Sequence, residues 1–415
     1  MELREDGLDG TDPMAATPRG WLAYGTAGSF VFYQMILQSL PSVIRDGLVV
    51  DFSLTDSGFG SLSASFYYPY IVLQVPAGLL VMRLGARRVL MAGLVLCIAA
   101  SLVTAIAQDI AYVAAARVLM GFGAVPTFVA TMMLAAQWFP SRMFPILVAL
   151  TETIGMLGAA VGQETLGFVV ERAGWRAGML VIGGLGAVIL VLTWLLVRDR
   201  PRAAVRGTTP SPSIAALLRL MLSPNLILAG LVGGMVFTAG LSFAMLWGVD
   251  FFQHHLGVDL QTASVIASFY SLGIVIGLPA FGFACGRLGR PIPLLAFGSV
   301  FTGLAVGVIL FGPPSIVVSS LGMLACGIAS GSYALSFVLA KSQVSESEAG
   351  AAIACANMLI MGIGGLVLQP LIAVIAHAEG RAVTSPDALA VLIWAQGLGI
   401  VLLGLLSWRL RARTV

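Results

Sequence analysis

The chain has 415 residues, 59% of them hydrophobic and only 10% charged, with a mean hydropathy of +0.98 and a formal charge of +3. Soluble domains carry roughly 25% charged residues, so the composition excludes a soluble enzyme or nucleic-acid-binding module and implies a chain that crosses a membrane many times. Its four cysteines, Cys97, Cys285, Cys326 and Cys355, lie in or beside apolar runs without paired spacing, which implies neither disulfides nor a metal cluster.

Residues 1–19 are polar and acidic, lack the basic-then-apolar pattern of a cleaved leader, and read as a cytoplasmic tail. A crossing needs ~20 apolar residues. Such runs occur at about 20–45, 58–81, 88–108, 111–136, 145–169, 177–197, 225–249, 261–284, 292–312, 314–340, 351–376 and 388–408. They predict an all-α membrane protein of twelve transmembrane helices: a six-helix bundle over 20–197, a linker over 198–224 rich in Arg, Pro, Thr and Ser, a second six-helix bundle over 225–408, and a short tail, 409–415.

A glycine-punctuated basic stretch, Gly78 to Arg88, separates the second and third runs, and it returns as Gly282 to Arg290. Gly78 and Gly282, Arg83 and Arg287, Leu84 and Leu288, and Gly85 and Gly289 all pair at one offset of 204 residues, about half the chain. Two halves of one design is the simplest account. Basic residues fix the orientation. With the N-terminus cytoplasmic, seventeen Lys and Arg fall on that side and four, Arg45, Arg172, Arg176 and Arg381, on the other. The positive-inside rule then predicts cytoplasmic termini.

Polar side chains inside the runs mark candidate substrate contacts, because they are costly in a membrane unless they face protein or water. The first run carries Gln34, Gln38 and Arg45, and the second Ser63, Tyr67, Tyr70 and Gln74 at spacings that keep one helical face. The second half is sparser: Ser264, Ser268 and Ser271, then Ser330, Tyr333 and Phe337, then Asn357. Each is also open to a structural reading as an interhelical hydrogen-bond partner.

Ionisable groups are sharper. Arg117 lies in the fourth run, and Glu152 and Glu164 lie in the fifth, roughly 18 Å apart along a helix. Glu152 is the candidate proton-coupling acid, and Arg117 either its partner or the site of an anionic substrate group; the competing reading is a static ion pair. Glu164 reads as a solvated rim residue. Asp250, His254 and His255 are neighbours that fall short of a complete metal site. With no nucleotide-binding loop or nucleophile triad in view, no cofactor is expected.

The basic stretch resembles a loop of the major facilitator superfamily, Gly-x-Leu-x-Asp-Arg-x-Gly-Arg-Arg, at Gly78, Leu80, Arg83, Gly85, Arg87 and Arg88; Met82 and, in the second copy, Gly286 stand where that family has an acid. Arg117 with Gly121 and Gly123, Trp138-Phe139-Pro140 with Arg142, and Gly174-Trp175-Arg176 are similar to further motifs of that family. Leu246 to Val249 and Asn357 to Pro370 resemble a bacterial subgroup of small-metabolite carriers, and Gly155 to Glu164 lacks the Gly-Pro pair of the family's antiporters. The resemblance implies a gate formed by Gly78, Arg83, Gly85, Arg87 and Arg88 with Gly282, Arg287, Gly289 and Arg290, whose acid would latch the outward-open state.

The expected function is secondary transport by alternating access: a monomer in the inner membrane, contacting lipid, that moves a small polar metabolite such as an amino acid or organic acid with protons. Two alternatives stand beside it, an exporter of amphipathic compounds and a non-transporting sensor or assembly partner with the same fold.

Overall fold

Thr17 opens the first helix, its hydroxyl accepting from the Gly20 N–H at 3.2 Å with Pro18 at the first helical position. A computed structural model describes residues 17–54, 56–199, 222–239, 243–244, 247–345, 348–368, 371–372, 374–375 and 385–411, apart from a few side chains inside helices, that of Glu164 among them. Expectations attached to the N-terminal tail, most of the linker, Leu246, Gln369, Pro370, Arg381 and the end of the C-terminal tail lie outside these residues.

The helices of the first half are α1 (Pro18–Phe52), α2 (Asp56–Ala64), α3 (Tyr67–Val72), α4 (Gln74–Leu84), α5 (Ala86–Ala105), α6 (Ile110–Ala124), α7 (Thr127–Trp138) and α8 (Phe144–Leu196). Those of the second are α9 (Pro224–Thr238), α10 (Gly248–Leu256), α11 (Leu260–Leu288), α12 (Pro291–Phe311), α13 (Ile316–Ser330), α14 (Leu335–Ser342), α15 (Ala349–Gly362), α16 (Pro386–Leu389) and α17 (Val391–Arg411). Among the described residues, eight helical stretches are long and apolar enough to cross a membrane, or ten if two bent pairs each count as one. Two shorter apolar helices, α9 and α15, stand beside them, consistent with the twelve passages that the sequence predicts.

Several passages are broken where one helix is expected. The second consists of α2, α3 and α4, and its last two pieces meet at a bend of 53°. Pro69 and Pro76 explain the breaks, since each removes a backbone donor and clashes with the preceding turn. The fifth and sixth passages, expected as separate spans, form one run, α8, interrupted only at Gly174 (φ 80°, ψ 164°), where a residue without Cβ is needed. Beyond that break the Trp175 indole lies against Gly47 and donates to Asp51 at 3.0 Å, while Arg176 pairs with Asp51 and donates to the Ala107 carbonyl at 3.1 Å. The Gly-Trp-Arg triplet thus ties the break in α8 to the end of α1 and the turn after α5.

The apolar core divides as the internal repeat implies. One cluster runs from Ala27 to Val197 within the first half; the other gathers the second half from Leu226 to Leu406 and adds Tyr24, Val75, Phe128, Val129, Met132, Ala135, Phe139, Phe144, Leu147, Val148 and Ala149 of the first. Those added residues lie near the start of α1, on α4, on α7 and the turn after it, and at the start of α8, so the halves meet on the side that carries the basic loops. There the duplicated glycines make equivalent crossings: Gly78 of α4 lies against Ala354 and Gly350 of α15, and Gly282 of α11 against Ala149 and Pro145 of α8. Small residues let the backbones approach this closely. The last glycine of each copy, Gly85 (φ +89°) and Gly289 (φ +62°), ends its helix in a conformation that favours glycine, donating to the Val81 and Cys285 carbonyls at 3.0 and 2.8 Å.

Candidate functional site: a polar cluster between the halves

The short 3-10 turn Gly331–Ala334 between α13 and α14 carries Tyr333 into the core of the molecule. Its hydroxyl donates to the Glu152 carboxylate of α8 at 2.7 Å, a bond that joins the halves across 181 residues of sequence. Phe237 stands against the Tyr333 ring at 4.7 Å between centroids, and Phe128 against Phe337 at 4.7 Å, so apolar rings enclose the pair. Next to Glu152 in the chain, Thr151 meets the Tyr24 hydroxyl at 2.7 Å, and Tyr24 donates to the Leu147 carbonyl at 2.7 Å. These bonds fix the helical face on which Glu152 sits.

Beside this pair, Gln34 of α1 donates to the Tyr70 hydroxyl of α3 at 3.0 Å. Tyr70 in turn neighbours Gln74, Asn357 and Glu152. All of these side chains are buried, yet Gln34 Oε1, both carboxamide atoms of Gln74 and Asn357 Nδ2 have no partner among the described residues. An unpartnered buried polar group costs about 1–3 kcal/mol. Four such atoms around one tyrosine make a polar seat whose hydrogen-bonding capacity is unfilled among the described residues. The seat offers donors from Gln74 and Asn357, acceptors from Gln34 and Gln74, and a carboxylate alongside.

In this structure the hydrogen bonds of Arg117 run to the backbone. Pro41 within α1 has no N–H, so the Leu37 carbonyl four residues earlier loses its helical donor. Arg117 supplies one, donating to Leu37 O at 2.7 Å and to Ser63 O, beside the break between α2 and α3, at 3.3 Å, with Phe66 4.9 Å from its guanidinium. Its hydrogen bonds go to backbone carbonyls while the Glu152 bond goes to Tyr333, so an Arg117–Glu152 pair is not the one the structure forms.

The other expected residues divide. Gln34, Tyr70, Gln74, Glu152, Tyr333 and Asn357 come together. Tyr67 shares α3 with Tyr70 and is 37% exposed; its neighbours are Phe66, Gln38 and Arg117. Ser268 lies elsewhere, exposed and donating to the Val265 carbonyl at 2.7 Å, in a shallow surface depression that also includes Asp259 and Gln261. His254 Nδ1 meets the Asp250 carbonyl at 2.7 Å and His255 stacks on Phe251. Tyr24, Thr151 and Phe237 escape a reading of the sequence. The Thr151–Glu152 adjacency is a usable signal, but Tyr24 gives none without the packing of α1 on α8.

The fold is that of a solved transporter. FucP in its outward conformation superposes with a TM-score of 0.73, covering 94% of this chain and 99% of that one at 16% sequence identity. Curated relatives include a hexuronate transporter of Bacillus subtilis (22% identical over 238 residues, 56% of each chain) and the drug efflux pump JefA of Mycobacterium tuberculosis (29% over 178 residues, 43% of this chain and 35% of that one). The probable galactarate/D-glucarate transporter GudP of Escherichia coli is 24% identical over 166 residues, 39% of this chain and 37% of that one. The chain thus spans about half or less of the length of these relatives. The Major Facilitator Superfamily family model matches residues 22–369, and the chain belongs to that superfamily.

Proposed function

We propose that the protein is a secondary transporter that carries a small organic acid or related polar metabolite through the polar seat, with Glu152 as the acid that couples transport to protons. The observation that carries this reading is the Tyr333–Glu152 bond between the halves, ringed by unpartnered carboxamides. An ionised Glu152 accepts a charge-assisted hydrogen bond, which is roughly twice as strong as a neutral one. Protonation weakens that tie, and the halves then rock about the site to open the other face.

Support for an organic acid comes from the names of relatives, which transport hexuronate or galactarate/D-glucarate. With Arg117 engaged by carbonyls, recognition of a carboxylate or hydroxyl falls to Gln74, Asn357 and Tyr70. The basic-loop side is packed shut in this structure, which corresponds to an outward-facing state if that side is cytoplasmic, as the placement of seventeen basic residues argues. Both termini are then cytoplasmic, in an inner membrane, and the working unit is the monomer in contact with lipid.

The likeness to JefA keeps export of amphipathic compounds as a second reading. Counterflow of labelled substrates in proteoliposomes separates them. Exchange of hexuronates, aldarates or other small organic acids, with no exchange of lipophilic cations, is the expected result. Exchange of lipophilic cations alone contradicts the proposal, and no exchange of either class favours a sensor that retains the fold.

A further inference from the structure

At the basic-loop end of the first half, between α4, α5, α7 and the end of α8, lies a cavity of about 670 Å³. Four guanidinium groups line it, those of Arg83, Arg87, Arg88 and Arg198, against one carboxylate, Asp199. That carboxylate is already committed. Its oxygens accept from the Ala86 and Arg87 N–H groups at 2.7 and 3.3 Å, capping α5, so the helix N-terminus has its anion.

The guanidiniums are not so provided for. Arg87 donates to the Trp194 carbonyl, but its Nε is buried with no partner. Among the described residues no acid pairs with Arg83, Arg88 or Arg198. Position 82, where the resembling loop motif has an acid, is a methionine packed on Gly350 of the other half, so no charge arrives from there. At the rim the Trp194 indole is 56% exposed, in the manner of side chains that sit at headgroup level. A cavity of this size accommodates a small ligand, and arginine forks match phosphate oxygens two at a time.

We propose that this cavity binds a phosphate-bearing anion, which in the membrane is the headgroup of an anionic phospholipid. Occupancy sets a negative group against α4, whose Gly78 and Met82 meet the second half, and so supports closure of the basic-loop side. The site is separate from the polar seat, and its test does not depend on what the protein transports.

Native mass spectrometry of the full-length protein tests it, with phosphatidylglycerol, phosphatidylcholine and inorganic phosphate as probes. Arg83→Gln/Arg88→Gln removes two exposed cations, Arg198→Gln removes a third separately, and Arg172→Gln, at the opposite end of the molecule, is the control. Each basic residue beside an anionic lipid contributes about fivefold to binding, so the double variant should bind phosphatidylglycerol about thirtyfold more weakly while its circular-dichroism melt matches the wild type. Arg198→Gln should lose about fivefold and Arg172→Gln nothing. Displacement of the lipid by millimolar phosphate would assign the site to soluble phosphate as well, and resistance would assign it to lipid. Equal retention of the two lipids by the wild type, or undiminished phosphatidylglycerol binding by both cavity variants, overturns the proposal.

Discussion

A charged side chain within a membrane helix costs about 2.5–3.5 kcal/mol on insertion scales, and Arg117 offsets that cost with two carbonyls that proline and a helix break leave open. The 48° bend of α1 after Pro41 and the breaks in the second passage are thereby held in one relative position, beside Gln34 and Tyr70. Arg117→Lys keeps the charge but cannot fork to both carbonyls. With each hydrogen bond to a charged group worth about 1.5–3 kcal/mol, the substitution should lower stability by roughly 2 kcal/mol, read as a lower melting temperature in detergent, and should weaken neutral and anionic substrates alike. Selective loss of the anionic ones would instead place Arg117 on the substrate. Arg117, Glu152 and Tyr333 are each visible in the sequence as polar residues within apolar runs. Their partners are not: Tyr333 and Glu152 are 181 residues apart, and only the packing of the two halves brings them to 2.7 Å. The Pro41–Leu37 spacing does hold the clue to the partner of Arg117.

At the scale of elements, the duplicated basic stretch serves two purposes through its two glycines. Gly85 and Gly289 end their helices in positive-φ backbone, while Gly78 and Gly282 let α4 cross α15 and α11 cross α8. Gly78→Leu and Gly282→Leu should each prevent that close approach and favour the state open on the basic-loop side. Spin labels on Arg142→Cys and Arg287→Cys, across the second crossing, should then report a longer distance than in the unsubstituted chain. An unchanged distance in both would mean the crossings are not what closes this side. Repeat spacing alone makes the two halves legible. The breaks are less so, although Pro69, Pro76 and Gly174 stand in the sequence, because a membrane helix tolerates proline wherever neighbours re-satisfy the freed groups. A continuous helix is therefore an equally good reading of those residues.

For the whole molecule, the twelve apolar passages and the two halves follow from hydropathy and the 204-residue repeat, because bilayer thickness dictates both length and composition. The identity of the seat does not, since it is assembled from α1, α3, α4, α8, α15 and the turn at Tyr333 only when the halves close on each other. In the proposed transport cycle its working depends on Glu152 gaining and losing a proton as the halves part. The most direct measurement is transport of one substrate in proteoliposomes, comparing wild type with Glu152→Gln and Tyr333→Phe in two modes: accumulation driven by a pH gradient, and counterflow without one. Glu152→Gln is expected to abolish driven accumulation and keep counterflow within about threefold of wild type, a difference under about 1 kcal/mol, with Tyr333→Phe retaining accumulation at a reduced rate. Glu152→Gln that accumulates substrate as the wild type does, or that loses both modes together, would contradict the account.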